Sequence, residues 1–397
     1  MRLKLTGVLL LLVLLVPVTP AIGQTRVPGV TDTEVVIGIT TPLSGPAAAW
    51  GATGLGAEAW AKYVNDQGGV HGRKLRVIVK DDAYTPGKAV ANINEMKDQV
   101  FAMVGILGTA VVAAGKDPIM EAGIPLIQAY GDVRIWTKVP KEKLRNVFVF
   151  YPDYADEGEF LATYAGKNLG TKKVAVFYQN DGFGKGQLEG IQRGVKAVGG
   201  QTQIVAEVPY EVAETELGAH ALKLKESGAD TVILVTTPRH GAIIVKSMAA
   251  AGYRPRVMSG FPLGSPVMFK LLGDLWEGAY VTVTSPIYGV DKETERTVNT
   301  LIKYEPRLKG GGEQFGLTGA PAMELVVEGL NRAGRDVTRE KFVKALETIV
   351  NWVPQAGGPA HTYGPNRRHG TNAVRLVRAE KGTYVPLTDY QQFAPHF

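Results

Sequence analysis

From Thr31 onward the chain alternates short runs of apolar, β-branched residues with longer stretches whose apolar residues recur at helical spacing. This alternation limits the fold more than any other feature. A strand, a helix and a second strand close by a right-handed crossover into a parallel sheet carrying helices on its faces. Val35, Val36, Ile37 and Ile39 read as a strand buried on both sides. Lys74 to Lys80, Phe101 to Ile106 and Ile124 to Ile127 follow as strands, with helices from Ala52, Pro86 and Ala110 between them. After the charged stretch Lys138 to Arg145 a second series begins, with strands at Val147 to Phe150, Val174 to Tyr178, Thr202 to Val208 and Thr231 to Val235. Two such series predict two doubly wound α/β lobes, each built on a parallel sheet. The last quarter changes character, with a strand at Gly278 to Thr284 and amphipathic helices at Lys292 to Tyr304, Pro321 to Ala333 and Arg339 to Ile349.

The first residues do not belong to this pattern. Arg2 and Lys4 precede an apolar run, Val8 to Val16, and then Pro17, Pro20 and the small-residue site Ala21-Ile22-Gly23. That is the layout of a secretory signal peptide over 1–23, with an apolar run too short to span a bilayer. The mature chain is expected to begin near Gln24 and to be exported, a bacterial periplasm being the natural compartment. With no cysteine, it has neither a disulfide framework nor a lipid-bearing thiol, and stability must come from large apolar cores. The formal charge is +6, and removing Arg2 and Lys4 leaves +4, spread without a basic block. That is too diffuse to point to nucleic acid or a membrane surface.

Ligands of open α/β sheets bind beyond the carboxyl ends of the strands. The first strand runs into the loop Thr41 to Trp50, where Pro42, Gly45 and Pro46 prevent helix or ladder from continuing. Ser44 and Trp50 on this loop offer a hydroxyl and a flat apolar surface to a small molecule; a turn with a core Trp is the plainer reading. Signals for catalysis are weak. Six histidines are scattered, and neither a metal-ligand spacing, a Gly-x-Ser-x-Gly elbow nor a phosphate-binding G-x-x-x-x-G-K-[ST] loop occurs. Gly54-Leu55-Gly56 mimics a dinucleotide fingerprint, but a long Pro-bearing loop separates it from its strand, so close helix packing explains these glycines better.

In series, several motifs resemble the type I solute-binding proteins of bacterial ABC transporters, in particular the branched-chain amino acid family. They are P-L-S-G-P at 42–46 with Trp50-Gly51, N-D-Q-G-G-V-H-G-R-K-L at 65–75, Asp81-Asp82, D-G-F-G-K-G at 181–186, Met248 to Gly252 before Tyr253, and G-A-P-A-M-E-L at 319–325. The resemblance implies two Rossmann-like lobes joined by three hinge crossovers, near Phe150 to Pro152, Tyr280 to Pro286 and Gly358 to Tyr363. Residues 24–150 with 284–358 would form the first lobe, and 151–283 with 359–397 the second.

The resemblance also implies a site. Thr109 matches the position that holds a ligand carboxylate at a helix N-terminus, with Ala110 adding its N–H, and the positive helix end suits an anion. Trp50 matches the aromatic over the ligand side chain, Phe183 the aromatic of the D-x-x-[FY]-G loop, and Tyr154 lies just past the first crossover. Two positions depart from the family. Its threonine after the fourth strand falls on Asp132, beside Tyr130, and its ammonium-binding glutamate falls on Phe261, with its tyrosine near Thr237. Either Asp132 has become the ammonium partner, or the ligand lacks an amino group and Phe261, Tyr130, Phe183 and Trp50 hold a flat apolar carboxylate; Asp132 could equally be a structural partner of Arg134. The implied function is capture of a hydrophobic or branched-chain amino acid, or of an aromatic carboxylate, between the lobes of a monomer, and delivery to an ABC permease. No enzyme activity, cofactor or metal is expected. A periplasmic ligand sensor on the same fold, without transport, is the alternative.

Overall fold

The computed structural model describes residues 27–397, and the leader read at 1–23 lies outside them. Strands β1 (Glu34–Thr41), β2 (Lys74–Asp81), β3 (Ala102–Leu107), β4 (Leu126–Tyr130) and β5 (Val147–Phe148) form a parallel sheet in the order β2-β1-β3-β4-β5. Helices α1 (Ala52–Asp66), α2 (Pro86–Met96), α3 (Thr109–Glu121) and the short α4 (Arg134–Thr137) lie between them. Every residue of β1 after Glu34 is buried, as an unbroken apolar run requires of a strand covered on both faces.

The second lobe follows the same plan: α5 (Tyr154–Leu169), β6 (Lys173–Gln179), α6 (Gly182–Ala197), β7 (Gln203–Tyr210), α7 (Gly218–Glu226), β8 (Thr231–Val235), α8 (Pro238–Ala250), β9 (Arg256–Ser259), α9 (Val267–Leu272) and β10 (Tyr280–Val283). The chain then returns to the first lobe as α10 (Thr294–Tyr304), α11 (Glu313–Ala333) and α12 (Arg339–Leu346), and ends as β11 (Ala373–Glu380), β12 (Thr383–Pro386) and β13 (Gln391–Gln392). The second sheet runs β12-β11-β10-β9-β8-β6-β7, with β13 also on β11. It is not wholly parallel, because β11 pairs antiparallel with β10, β12 and β13. A hairpin at Lys381-Gly382 needs no crossover helix, so the edge of an otherwise parallel sheet can reverse.

Helix α11 starts at Glu313, well before Pro321, which sits in its interior. Packing on α1 overrides the proline signal. A Cβ at Gly56 would collide with the carbonyl of Gly316, and one at Gly319 with the carbonyl of Thr53, so these glycines let the two helix backbones touch. Gly54 faces the side chains of Ile39 and Thr41 on the sheet. The glycines that mimic a nucleotide fingerprint are thus packing residues.

Three connections cross between the sheets, and the first and third run side by side. Val149 pairs with His369, and Asp153 N–H donates to Asn372 Oδ1 at 3.0 Å. The second passes through Thr284 to Ile287. The third crosses beyond the Gly358 to Tyr363 break, because that stretch is tied to the first lobe: His361 exchanges backbone bonds with Trp352, and the Tyr363 ring packs on Phe148. Among the described residues no helix is long and apolar enough to cross a membrane.

Candidate ligand-binding site

Strand ends from both sheets converge between the lobes. The first lobe contributes Ala47 and Trp50 after β1, Tyr84 after β2, Leu107 and Gly108 at the end of β3, and Tyr130 at the end of β4. The second contributes Tyr154 and Phe183 at the starts of α5 and α6, Thr237 after β8 and Pro262 after β9, and Tyr151 comes from the first crossing. Together they line a cavity of about 30 Å3.

The lobes are closed on one another. Trp50 Nε1 donates to Pro262 O at 3.2 Å, Thr237 Oγ1 to Pro46 O at 3.4 Å, and Gln179 Nε2 to Tyr84 Oη at 3.4 Å. Rings fill the cleft: Phe261 meets Trp50 at 6.0 Å between centroids, Tyr151 at 4.8 Å and Tyr154 at 5.8 Å, while Tyr154 meets Phe183 at 4.8 Å. Edge-on and offset ring contacts of this kind add to simple burial.

No charged side chain lines this cavity. Its polar groups are the Thr237 hydroxyl and tyrosine phenols, whose pKa values burial pushes up for Tyr84, Tyr130, Tyr151 and Tyr154. Helix N-termini supply the remaining field. Asp153 caps α5 and Asp181 caps α6, each accepting two backbone N–H bonds, whereas α3 begins after Gly108 with no side-chain cap. Its first turn, beside the lining residue Gly108, is thus a positive helix end at the cleft without a side-chain carboxylate cap. Acids lie behind the walls, Asp181 among them, bonded by the Gln179 amide that also reaches Tyr84. Glu157 is fully buried and accepts from Phe261 N at 2.9 Å and from the Thr282 hydroxyl; burial raises its carboxyl to about 7. Asp82 accepts from Thr40 and from Tyr84 N, and burial raises it to about 6.

Tyr84 owes its place to backbone strain. Ala83 and Tyr84 both hold positive φ, 51° and 61°, unusual for residues with a Cβ. The Asp81 and Asp82 carboxylates stabilise this turn by accepting from Ala83 N and Tyr84 N, both at 2.9 Å.

Of the residues singled out from sequence, Trp50, Tyr130, Tyr154, Phe183 and Thr237 line the cavity, and Phe261 packs against three of its rings. Thr109 is buried one residue beyond the lining residue Gly108, its Oγ1 accepting from Asp132 N at 3.1 Å and its methyl facing Gly182. Ala110 is exposed on the first turn of α3. Ser44 is exposed and donates to Asp81 Oδ2 at 2.5 Å. Asp132 accepts from Arg134 at 3.0 and 3.2 Å, and Arg134 also reaches Glu189 of the second lobe at 2.8 Å. Tyr84, Tyr151 and Pro262 were not anticipated. Tyr151 and Pro262 follow the carboxyl ends of strands, so the rule that pointed to Trp50 would also have found them, whereas the direction of Tyr84 depends on the turn at Ala83.

Two α/β lobes whose strand ends meet in a closed, ring-lined cleft define a protein that holds a small molecule between domains. A family model described as periplasmic binding protein matches residues 34–383, and the chain belongs to that family, which comprises solute-binding proteins and not enzymes. The Leu/Ile/Val-binding protein homolog 3 of Brucella melitensis is 26% identical over 318 residues, 79% of this chain and 83% of its own length. A branched-chain amino acid ABC transporter protein from Thermus thermophilus with bound valine superposes with TM-score 0.82 at 21% identity, covering 92% of this chain and 98% of the other. An ABC transporter solute-binding protein from R. palustris in complex with benzoate superposes with TM-score 0.77 at 19% identity, covering 89% and 95%.

Proposed function

We propose that this protein is the extracytoplasmic solute-binding component of an ABC importer and that its ligand is a small hydrophobic carboxylate without an α-ammonium group. The observation that carries the ligand class is the lining itself: aromatic walls, neutral hydroxyls, an uncapped helix N-terminus and no acidic side chain. A carboxylate gains from the N–H groups of α3, whereas an ammonium there would be dehydrated without a counter-charge, which costs several kcal/mol. Asp132 is committed to Arg134, which supports its structural reading. The benzoate bound by one structural relative is compatible with this chemistry.

The protein acts without catalysis. Ligand enters when the lobes part and contacts both only when they close, so its higher affinity for the closed form shifts that equilibrium, and the permease reads the closed surface. Trp50, Tyr130 and Phe261 would cover the ligand's apolar body, and Gly108, Thr109 and Ala110 would hold its carboxylate. A branched-chain amino acid remains the second reading, favoured by the name of the Brucella relative.

Thermal unfolding of refolded, ligand-free mature protein in excess benzoate, 3-phenylpropanoate or L-leucine tests the class. At about a hundred times its Kd a ligand adds about 2.7 kcal/mol. Stabilisation by the two acids and not by leucine is expected; stabilisation by leucine alone would overturn the reading.

A further inference from the structure

A second cavity, of about 40 Å3, lies on the hinge side of the cleft, and Tyr151 lines both. The partition between them is a pair of rings. Tyr151 meets Tyr130 edge-on at 5.5 Å, and the Tyr130 hydroxyl donates to the carbonyl of Thr318, itself a wall residue of the hinge cavity. The cavity exceeds the roughly 10–15 Å3 that one water occupies. Its floor is the crossing segments themselves, with Phe150, Ser285 and Thr371 each from a different one.

The lining is uncharged and mixes apolar surface with a few polar side chains. Two of its lining residues carry a buried side-chain atom with no hydrogen-bond partner among the described residues, His361 Nδ1 and Thr371 Oγ1. The imidazole is held flat against Phe150, with ring centroids 4.6 Å apart, and Gln128 Oε1 is already used by Phe150 N at 2.9 Å. Buried polar atoms are nearly always paired, so two orphans at one cavity mark a place where a partner belongs. Burial holds His361 neutral, its pKa pushed down to about 3. With no charged side chain present, a second carboxylate or an ammonium would be buried unpaired here, whereas a hydroxyl can both donate and accept.

We infer that the hinge cavity receives the far end of the ligand past the Tyr130–Tyr151 partition, and that this end carries a neutral hydrogen-bonding group, a hydroxyl in the first instance, satisfied by Thr371 and His361. This rests on the carboxylate reading above and extends it to a ligand polar at both ends and apolar between. Because Tyr151 stands on the first crossing, closure of the hinge sets the partition and the polar contact together.

Isothermal titration of ligand-free mature protein with 3-phenylpropanoate and 3-(4-hydroxyphenyl)propanoate tests it, in the wild type and in Thr371→Val and His361→Phe. The hydroxyl is expected to improve affinity about 3- to 10-fold in the wild type, and that advantage to fall below about 2-fold in both variants. Thr371→Val removes an unpartnered hydroxyl at constant shape, so the result does not depend on tolerance of the larger change at His361. Equal wild-type affinities, or an advantage that survives both variants, would mean that the cavity holds water only, with the carboxylate reading intact. Failure of both acids to bind the wild type would overturn that reading and this inference with it.

Discussion

Trp50 ties the lobes through both its apolar ring and its N–H. Its ring packs against Phe315 at 4.8 Å on its own side and Phe261 at 6.0 Å across the cleft, and its indole N–H reaches Pro262 O. Asp132 has a more local task, holding the Arg134 fork that also reaches Glu189 across the cleft. Asp132→Asn should therefore lower stability by about 1–2 kcal/mol in urea unfolding. It should also change affinity for L-leucine and for its deaminated analogue 4-methylpentanoate by the same factor; selective loss of leucine binding would make Asp132 an ammonium partner after all. At this scale the sequence was readable where a residue follows a strand end with unusual chemistry, as Trp50 and Phe183 do. Tyr84 was missed because its direction depends on two left-handed residues held by Asp81 and Asp82, and no residue type announces that conformation at Ala83.

Helix α11 shows why element boundaries were harder to read than elements. Pro321 fits the first turn of a helix, yet the helix runs through it because α1 and α11 meet at glycines whose role depends on a partner far away in sequence. Gly319→Ala would drive a methyl into the Thr53 carbonyl and should cost about 2–3 kcal/mol, seen as a lower urea midpoint at unchanged slope. An unaltered midpoint would mean that the helices part without loss. The strands β1, β3, β4, β6 and β8 were legible as apolar runs, and β2 by the alternation of Leu75, Val77 and Val79. The hairpin β11–β12 was not, since Arg375, Arg378 and Glu380 break up its apolar pattern and its edge position leaves one side to solvent.

The two-lobed plan followed from the alternation of strand and helix alone, whereas the hinge is a matter of contacts between distant segments. His396 lies 3.0 Å from Asp153 and 3.2 Å from Asp156, and these carboxylates raise its pKa to about 9, so the end of the chain is pinned to the start of α5 beside the first crossing. Asp153 also stands 3.8 Å from Arg134 of the first lobe. Closure thus gathers rings in the cleft, ion pairs beside it and an uncharged cavity behind it, while the lining of the cleft cavity carries no charged side chain. Isothermal titration with 3-phenylpropanoate and L-phenylalanine, which differ only by the ammonium group, tests this most directly. The acid without the amine is expected to bind at least about 100-fold more tightly, because an ammonium in this cleft is buried unpaired. Equal affinity, or tighter binding of phenylalanine, would mean that an acidic group reaches the ligand and would contradict the proposed site.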